Sequence, residues 1–142
     1  MKYIILHGTG NSRPWADAKF HEHYLDTTSR EVSWHYSVDE FGSLQHFPHN
    51  TVCFHASSTL VNNQSIGVEI CHPDGGNLMQ AQLEAGKLVH ELLQEYPYAE
   101  VYWHDEVRKI DPEARIHGKV CPAVFDAQQR LFILSRIQKP WP

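Results

Sequence analysis

Hydrophobic and polar positions change their period several times along the chain, and each change marks an element. Residues 2–6 form a short apolar run rich in isoleucine, closed by Gly8-Thr9-Gly10-Asn11-Ser12. A run of that length ending in turn residues predicts a buried strand, with His7 at its C-terminal edge. Pro14 suits a first helical turn, and Trp15, Ala18, Phe20 and Tyr24 space out an amphipathic helix that fades before Thr27-Thr28-Ser29. From Val32 to Ala56 the pattern predicts a hairpin and a further strand: Trp34 to Val38, a turn over Asp39-Glu40-Phe41-Gly42, Ser43 to Phe47, then Thr51 to His55. Ser65 to Cys71 alternates strictly, with Ile66, Val68 and Ile70 on one face and Gly67, Glu69 and Cys71 on the other. Glu69 therefore points away from the aliphatic face of its strand.

Asn77 can cap a helix whose stripe is Ala81, Ala85, Leu88, Val89, Leu92 and Tyr96, while Glu84, Lys87, Glu91 and Glu95 face water. Val101-Tyr102-Trp103 predicts a short strand ending at His104, and Pro122 is placed to open a last helix carrying Val124, Leu131, Leu134 and Ile137. Between them, Arg108 to Gly118 is long and polar, which predicts an exposed loop. The order predicts a mixed α/β fold over residues 1–142, a single domain with a central mixed sheet of about five or six strands and about three flanking helices.

Composition narrows the function classes. A chain of 142 residues suits one continuous core. Its net charge of −5 offers no basic stripe for a phosphate backbone, which argues against nucleic acid as a partner. Eleven histidines against twelve Lys plus Arg is the unusual count, because imidazole is the commonest metal ligand. Three cysteines without repeated spacing make no disulfide framework, and Cys53 and Cys71 are expected as buried free thiols. The apolar start is too short for a signal peptide, and no stretch approaches the roughly 20 apolar residues of a membrane span. The expectation is a monomer made in the cytoplasm.

His7 at one strand end, His104 at another and Cys121 in Lys119-Val120-Cys121-Pro122 suggest a metal when taken together. Two imidazoles and a thiolate are ligands that Zn²⁺ prefers, and three protein ligands leave a fourth tetrahedral position for water, the pattern of a catalytic site. Spacing alone does not select these residues. A buried cysteine is more often a small hydrophobe, and a thiol at a helix start can simply be reactive. Glu69 can equally face solvent on a sheet surface.

Six short segments choose among these alternatives: Ile4-Ile5-Leu6-His7-Gly8-Thr9-Gly10, Ser33-Trp34-His35-Tyr36-Ser37-Val38-Asp39, Phe54-His55-Ala56, Ser65-Ile66-Gly67-Val68-Glu69-Ile70, Trp103-His104-Asp105-Glu106-Val107 and Lys119-Val120-Cys121-Pro122. In this order they resemble the amidase-2 family, which includes phage T7-type lysozymes, bacterial muramoyl-alanine amidases and peptidoglycan recognition proteins. The resemblance implies a zinc cleft at one sheet face, with His7, His104 and Cys121 as ligands of the family's His, His, Cys (or Asp) set. It places Lys119 where a family lysine stabilises the oxyanion of the tetrahedral intermediate. Glu69 falls where one branch carries a catalytic glutamate, which takes a proton from water and delivers it to the leaving amine. Other members use a tyrosine from the hairpin, but the aligned residue here is Trp34, which exchanges no proton.

His55 matches a cleft histidine that contacts substrate, and Trp34 joins it as a candidate substrate contact, although core packing is the commoner fate of Trp34, Tyr36 and Trp103. The interval between His104 and Cys121 is longer than the family's usual one, which makes His117 a rival ligand. His104 is preferred because Trp103-His104-Asp105-Glu106-Val107 matches the strand-end context.

The implied activity is zinc-dependent hydrolysis of the bond between N-acetylmuramic acid and L-alanine in peptidoglycan. The expected setting is a phage or prophage endolysin acting in the periplasm after release. The alternatives are a cytoplasmic amidase recycling muropeptides and a peptidoglycan-binding module without catalysis. A cysteine peptidase built on Cys121 is a third class, distinguished by thiol-reagent sensitivity that zinc removal does not mimic.

Overall fold

A computed structural model describes residues 1–116, 121 and 125–137. Its five strands are β1 (Tyr3–Gly8), β2 (Tyr36–Asp39), β3 (Gly42–Gln45), β4 (Ser65–Ile70) and β5 (Glu100–Trp103), in the sheet order β3-β2-β4-β1-β5. Strand β1 runs parallel to β4 and β5, β2 runs parallel to β4, and the β2–β3 hairpin supplies the antiparallel edge. Parallel strands covered on both faces read as apolar runs. That is why Ile4-Ile5-Leu6, all fully buried, sits at β1.

The sheet separates two layers of unequal size. Ile4, Leu6, Ile66, Val68 and Ile70 face the larger core, completed by Ala85, Leu88, Val89 and Leu92 of α3 (Leu78–Glu95) and by Ile133 and Ile137 of α4 (Ala127–Ile137). Asn77 caps α3 as its sequence predicts, its side chain accepting the Gln80 N–H at 3.1 Å. On the other face Ile5 packs with Ala56, Val61, Val107 and Ala114 in a thin layer under α2 (Thr59–Asn62) and the 3₁₀ turn His104–Lys109. This thinner layer carries the polar positions of the strands and hence the candidate site. No helix among the described residues is long and apolar enough to cross a membrane.

Several expectations change. Helix α1 covers Ala18–Thr27 and starts after Pro14, because the Asp17 carboxylate accepts the Phe20 N–H at 2.8 Å and caps it there. Replacing Asp17 with Ala is expected to cost about 1 kcal/mol of folding stability, which a denaturant titration would read as a lower midpoint at unchanged slope.

Residues 51–55 are not a strand. Side chains take up their backbone donors, with the Phe54 N–H on Ser33 Oγ at 2.9 Å and the Ala56 N–H on Asn62 Oδ1 at 2.8 Å. Leu131, assigned to the buried stripe of the last helix, is 65% exposed, and Ile133 and Ile137 do the packing. That helix begins at Ala127, with Asp126 and Gln129 capping each other's backbone N–H. Pro122 and Val124 lie outside the described residues. The segment from Arg108 to Ile116 is mostly exposed, as its polarity predicts, and it is docked through buried Ala114 and the Arg115 N–H, which reaches Ser57 O at 3.1 Å. Cys53 and Cys71 are buried free thiols, as expected.

Candidate metal centre and its carboxylate

Strand register assembles the site. In the parallel β1–β4 pair His7 lies opposite Glu69, and partners in register project to the same face. In the β1–β5 pair Leu6 lies opposite Trp103, so the next residue of each strand, His7 and His104, arrives at the same C-terminal edge. The chain then turns into a 3₁₀ helix, held where Glu106 accepts the Trp103 N–H at 3.0 Å. Asp105 beside His104 is tied twice: its N–H donates to Cys121 O at 2.9 Å, and its carboxylate pairs with Arg130 at 2.8 Å. The first of these bonds brings a residue remote in sequence alongside the two histidines.

The ligand atoms of His7, His104 and Cys121 all lie within 4.8 Å of one another, and this is the one such group of His, Cys, Asp and Glu side chains among the described residues. Cys121 Sγ is 3.7 Å from His7 Nδ1, and Glu69 Oε1 is 3.9 Å from the same nitrogen. His104 Nε2 is 3.3 Å from Ser57 Oγ, and a hydrogen bond donated there leaves Nδ1 with the lone pair. Ser57 is also the one described residue other than glycine with positive φ, at 55°, a conformation such a residue holds only where its surroundings impose it.

Burial drives His7, His104, Glu69 and Cys121 toward their uncharged forms. His7 is held well below the usual imidazole range by burial and by the neighbouring His55 and His104, and His104 is lowered by burial. Burial pushes Glu69 up to about 8, and burial with the Glu69 charge pushes the Cys121 thiol up to about 12. Neutral imidazoles carry the lone pairs a metal needs, while a divalent cation reverses the sign of the local field and favours both thiolate and carboxylate. Two nitrogens, one sulfur and a reserve carboxylate therefore fit Zn²⁺ in chemistry and in spacing. Glu69 is 16% exposed, and its Oε2 is buried without a hydrogen-bond partner. A buried oxygen of that kind is an acceptor left open for a ligand.

The other candidates fall into place differently. His55 lies behind His7 with both ring nitrogens occupied, Nδ1 at 3.1 Å from His7 Nε2 and Nε2 at 3.2 Å from Ser65 Oγ. Trp34, paired with His55 as a candidate substrate contact, is 7% exposed, donates its indole N–H to Ser37 Oγ and stacks on Tyr24. Its ring is spent on packing, the commoner fate of a tryptophan. His35 is a packed histidine, accepting the Gly67 N–H on Nδ1 and bonding Thr51 O through Nε2. Lys119 and the rival ligand His117 lie outside the described residues. Ser57 and Ser65 escaped the sequence reading. Nothing local marks Ser57, but Ser65 shares the alternation that exposed Glu69 and could have been read from it.

Comparison with known proteins identifies the family. A family model described as N-acetylmuramoyl-L-alanine amidase matches residues 1–122, spanning all six motif segments. The N-acetylmuramoyl-L-alanine amidase XlyA of Bacillus subtilis (strain 168) is 33% identical over 122 residues, which cover 84% of this chain and 39% of that protein. The structure of the catalytic domain of XlyA is similar with a TM-score of 0.80 at 31% identity, over 95% of this chain and 84% of that one. A mutant endolysin from Bacillus subtilis gives a TM-score of 0.81 at 31% identity, with the same coverage of 95% and 84%. The chain spans less than half the length of the curated relatives it matches. With the fold, the ordered motifs and the family match in agreement, the chain belongs to the N-acetylmuramoyl-L-alanine amidase (amidase-2) family.

Proposed function

We propose that this chain is a zinc-dependent amidase that hydrolyses the bond between the lactyl carbonyl of N-acetylmuramic acid and the amine of L-alanine in peptidoglycan. The observation that carries the reading is the convergence of His7, His104 and Cys121 within 4.8 Å, from three distant parts of the chain. Zinc held by these side chains would supply Lewis acidity, making water a nucleophile near neutral pH and polarising the scissile carbonyl.

The protein's own groups handle the protons. Glu69, on the strand beside His7, accepts a proton from the attacking water and returns it to the amide nitrogen as the C–N bond breaks. The products are a sugar-linked lactyl carboxylate and a stem peptide with a free alanine amine. Lys119, two positions before Cys121, is proposed to oppose the charge developing on the carbonyl oxygen. The similarity to a Bacillus subtilis endolysin supports a phage or prophage setting, in which the enzyme reaches peptidoglycan after leaving the cytoplasm.

Incubating the protein with purified peptidoglycan tests this directly. The expected result is about one zinc per chain, since the site has a single ligand set, with release of stem peptides bearing new alanine amino termini. Chelation should abolish release and added zinc should restore it. Retention of the stem peptides on the sugar would overturn the amidase reading, and binding without any release would leave a recognition module.

A further inference from the structure

The polar face of β4 reads Ser65, Gly67, Glu69, and all three positions converge on one histidine pair. Glu69 stands beside His7, the Ser65 hydroxyl meets the far side of His55, and Gly67 supplies the room between them. A Cβ placed on Gly67 would meet the His55 ring at 2.7 Å, so the ring lies directly on the strand backbone. The two imidazoles meet edge-on, with ring planes 84° apart.

Proton positions along this line are not free. His7 Nδ1 faces Cys121 and Glu69, so as a metal ligand it carries the lone pair and the ring proton sits on Nε2. That N–H has one acceptor, His55 Nδ1 at 3.1 Å, which then cannot hold a proton itself. The His55 proton is left on Nε2, where it donates to Ser65 Oγ at 3.2 Å.

We infer that His55 is a positioning residue for the metal centre: a directional relay from His7 Nε2–H through His55 to Ser65 locks His7 in the tautomer whose Nδ1 binds the ion. This rests on the metal reading above and replaces the substrate contact expected for His55. An outer partner of this kind orients a ligating imidazole and raises its basicity, and its loss typically lowers metal affinity by about 10–100-fold.

Ring ¹⁵N NMR of the chelator-stripped wild-type protein reads the tautomers without any substitution. Both His7 and His55 should be protonated on Nε2 alone, and a proton on Nδ1 of either would overturn the relay. His55→Leu should let His7 populate both tautomers and weaken zinc binding by about 10–100-fold in a chelator competition. His55→Asn should restore affinity, because its Oδ1 falls where Nδ1 was and accepts the same N–H. A His55→Leu protein that binds zinc as tightly as wild type would overturn the inference while leaving the metal reading intact. A wild-type protein that takes up no zinc would overturn the metal reading, and the tautomers would still decide the relay.

Discussion

Replacing Glu69 with Gln is expected to lower kcat on peptidoglycan by about 10²–10⁴-fold, the usual contribution of a positioned general base, while zinc content stays at the wild-type value. Gln keeps the volume and one acceptor oxygen, so the packing against His7 survives, but it cannot take up and return a proton. A loss of zinc in the same variant would instead make Glu69 a ligand, and unchanged turnover would remove it from the mechanism.

The same substitution makes a second prediction with a definite sign. Burial raises the Glu69 pKa in the folded chain from the usual 4.5 to about 8. Folded protein therefore holds this proton more tightly than unfolded protein does, and the carboxyl costs stability once the unfolded chain has ionised. In chelator-stripped protein, the stability tied to this proton is intact below pH 4.5 and is lost as pH rises to about 8. Gln has no charge to bury. The melting temperature of metal-free Glu69→Gln should thus pull ahead of wild type progressively across that window, and a constant offset at all pH values would contradict the buried-carboxyl account.

Strand β4 shows why so much of this candidate site is legible in the sequence. A strict period of two puts Ile66, Val68 and Ile70 on one face and leaves Glu69 on the other, and parallel pairing with β1 then fixes His7 beside it. Local chemistry of that kind survives folding because it depends on the backbone alone. Helix α3 was legible for the same reason, as its cap and stripe lie within one segment.

What did not come through depended on distant partners. Residues 51–55 have the composition of a strand, but Ser33 and Asn62 claim their backbone donors. The relay through His55 and Ser65 needs two elements to meet, and so does the contact between Ser57 and His104, which lie far apart in the sequence. Motif resemblance put His55 forward as a substrate contact but could not say that His7 and Ser65 would occupy both of its ring nitrogens.

The other large effect is expected at Cys121. Zinc sites of four ligands are worth about 10–16 kcal/mol in apparent binding, or roughly 2.5–4 kcal/mol for each ligand. Cys121→Ala should therefore weaken zinc binding by roughly 10²–10³-fold and abolish peptide release at limiting zinc. Cys121→Asp should recover much of the binding, because a carboxylate oxygen is also a zinc ligand.

That pair of variants also separates the metal centre from a cysteine nucleophile. A peptidase using this thiol would lose all activity in both variants and would ignore chelators. A catalytic thiol is activated by a lowered pKa or by a neighbouring base, and here burial and the Glu69 charge push Cys121 the other way, up to about 12 in the metal-free chain. A thiol held neutral until a cation arrives suits a ligand that gives up its proton on binding, so zinc uptake should release acid and tighten as pH rises. Proton release measured by calorimetry in buffers of different ionisation enthalpy checks this, and zinc binding without proton release in the wild type would exclude the sulfur as a ligand.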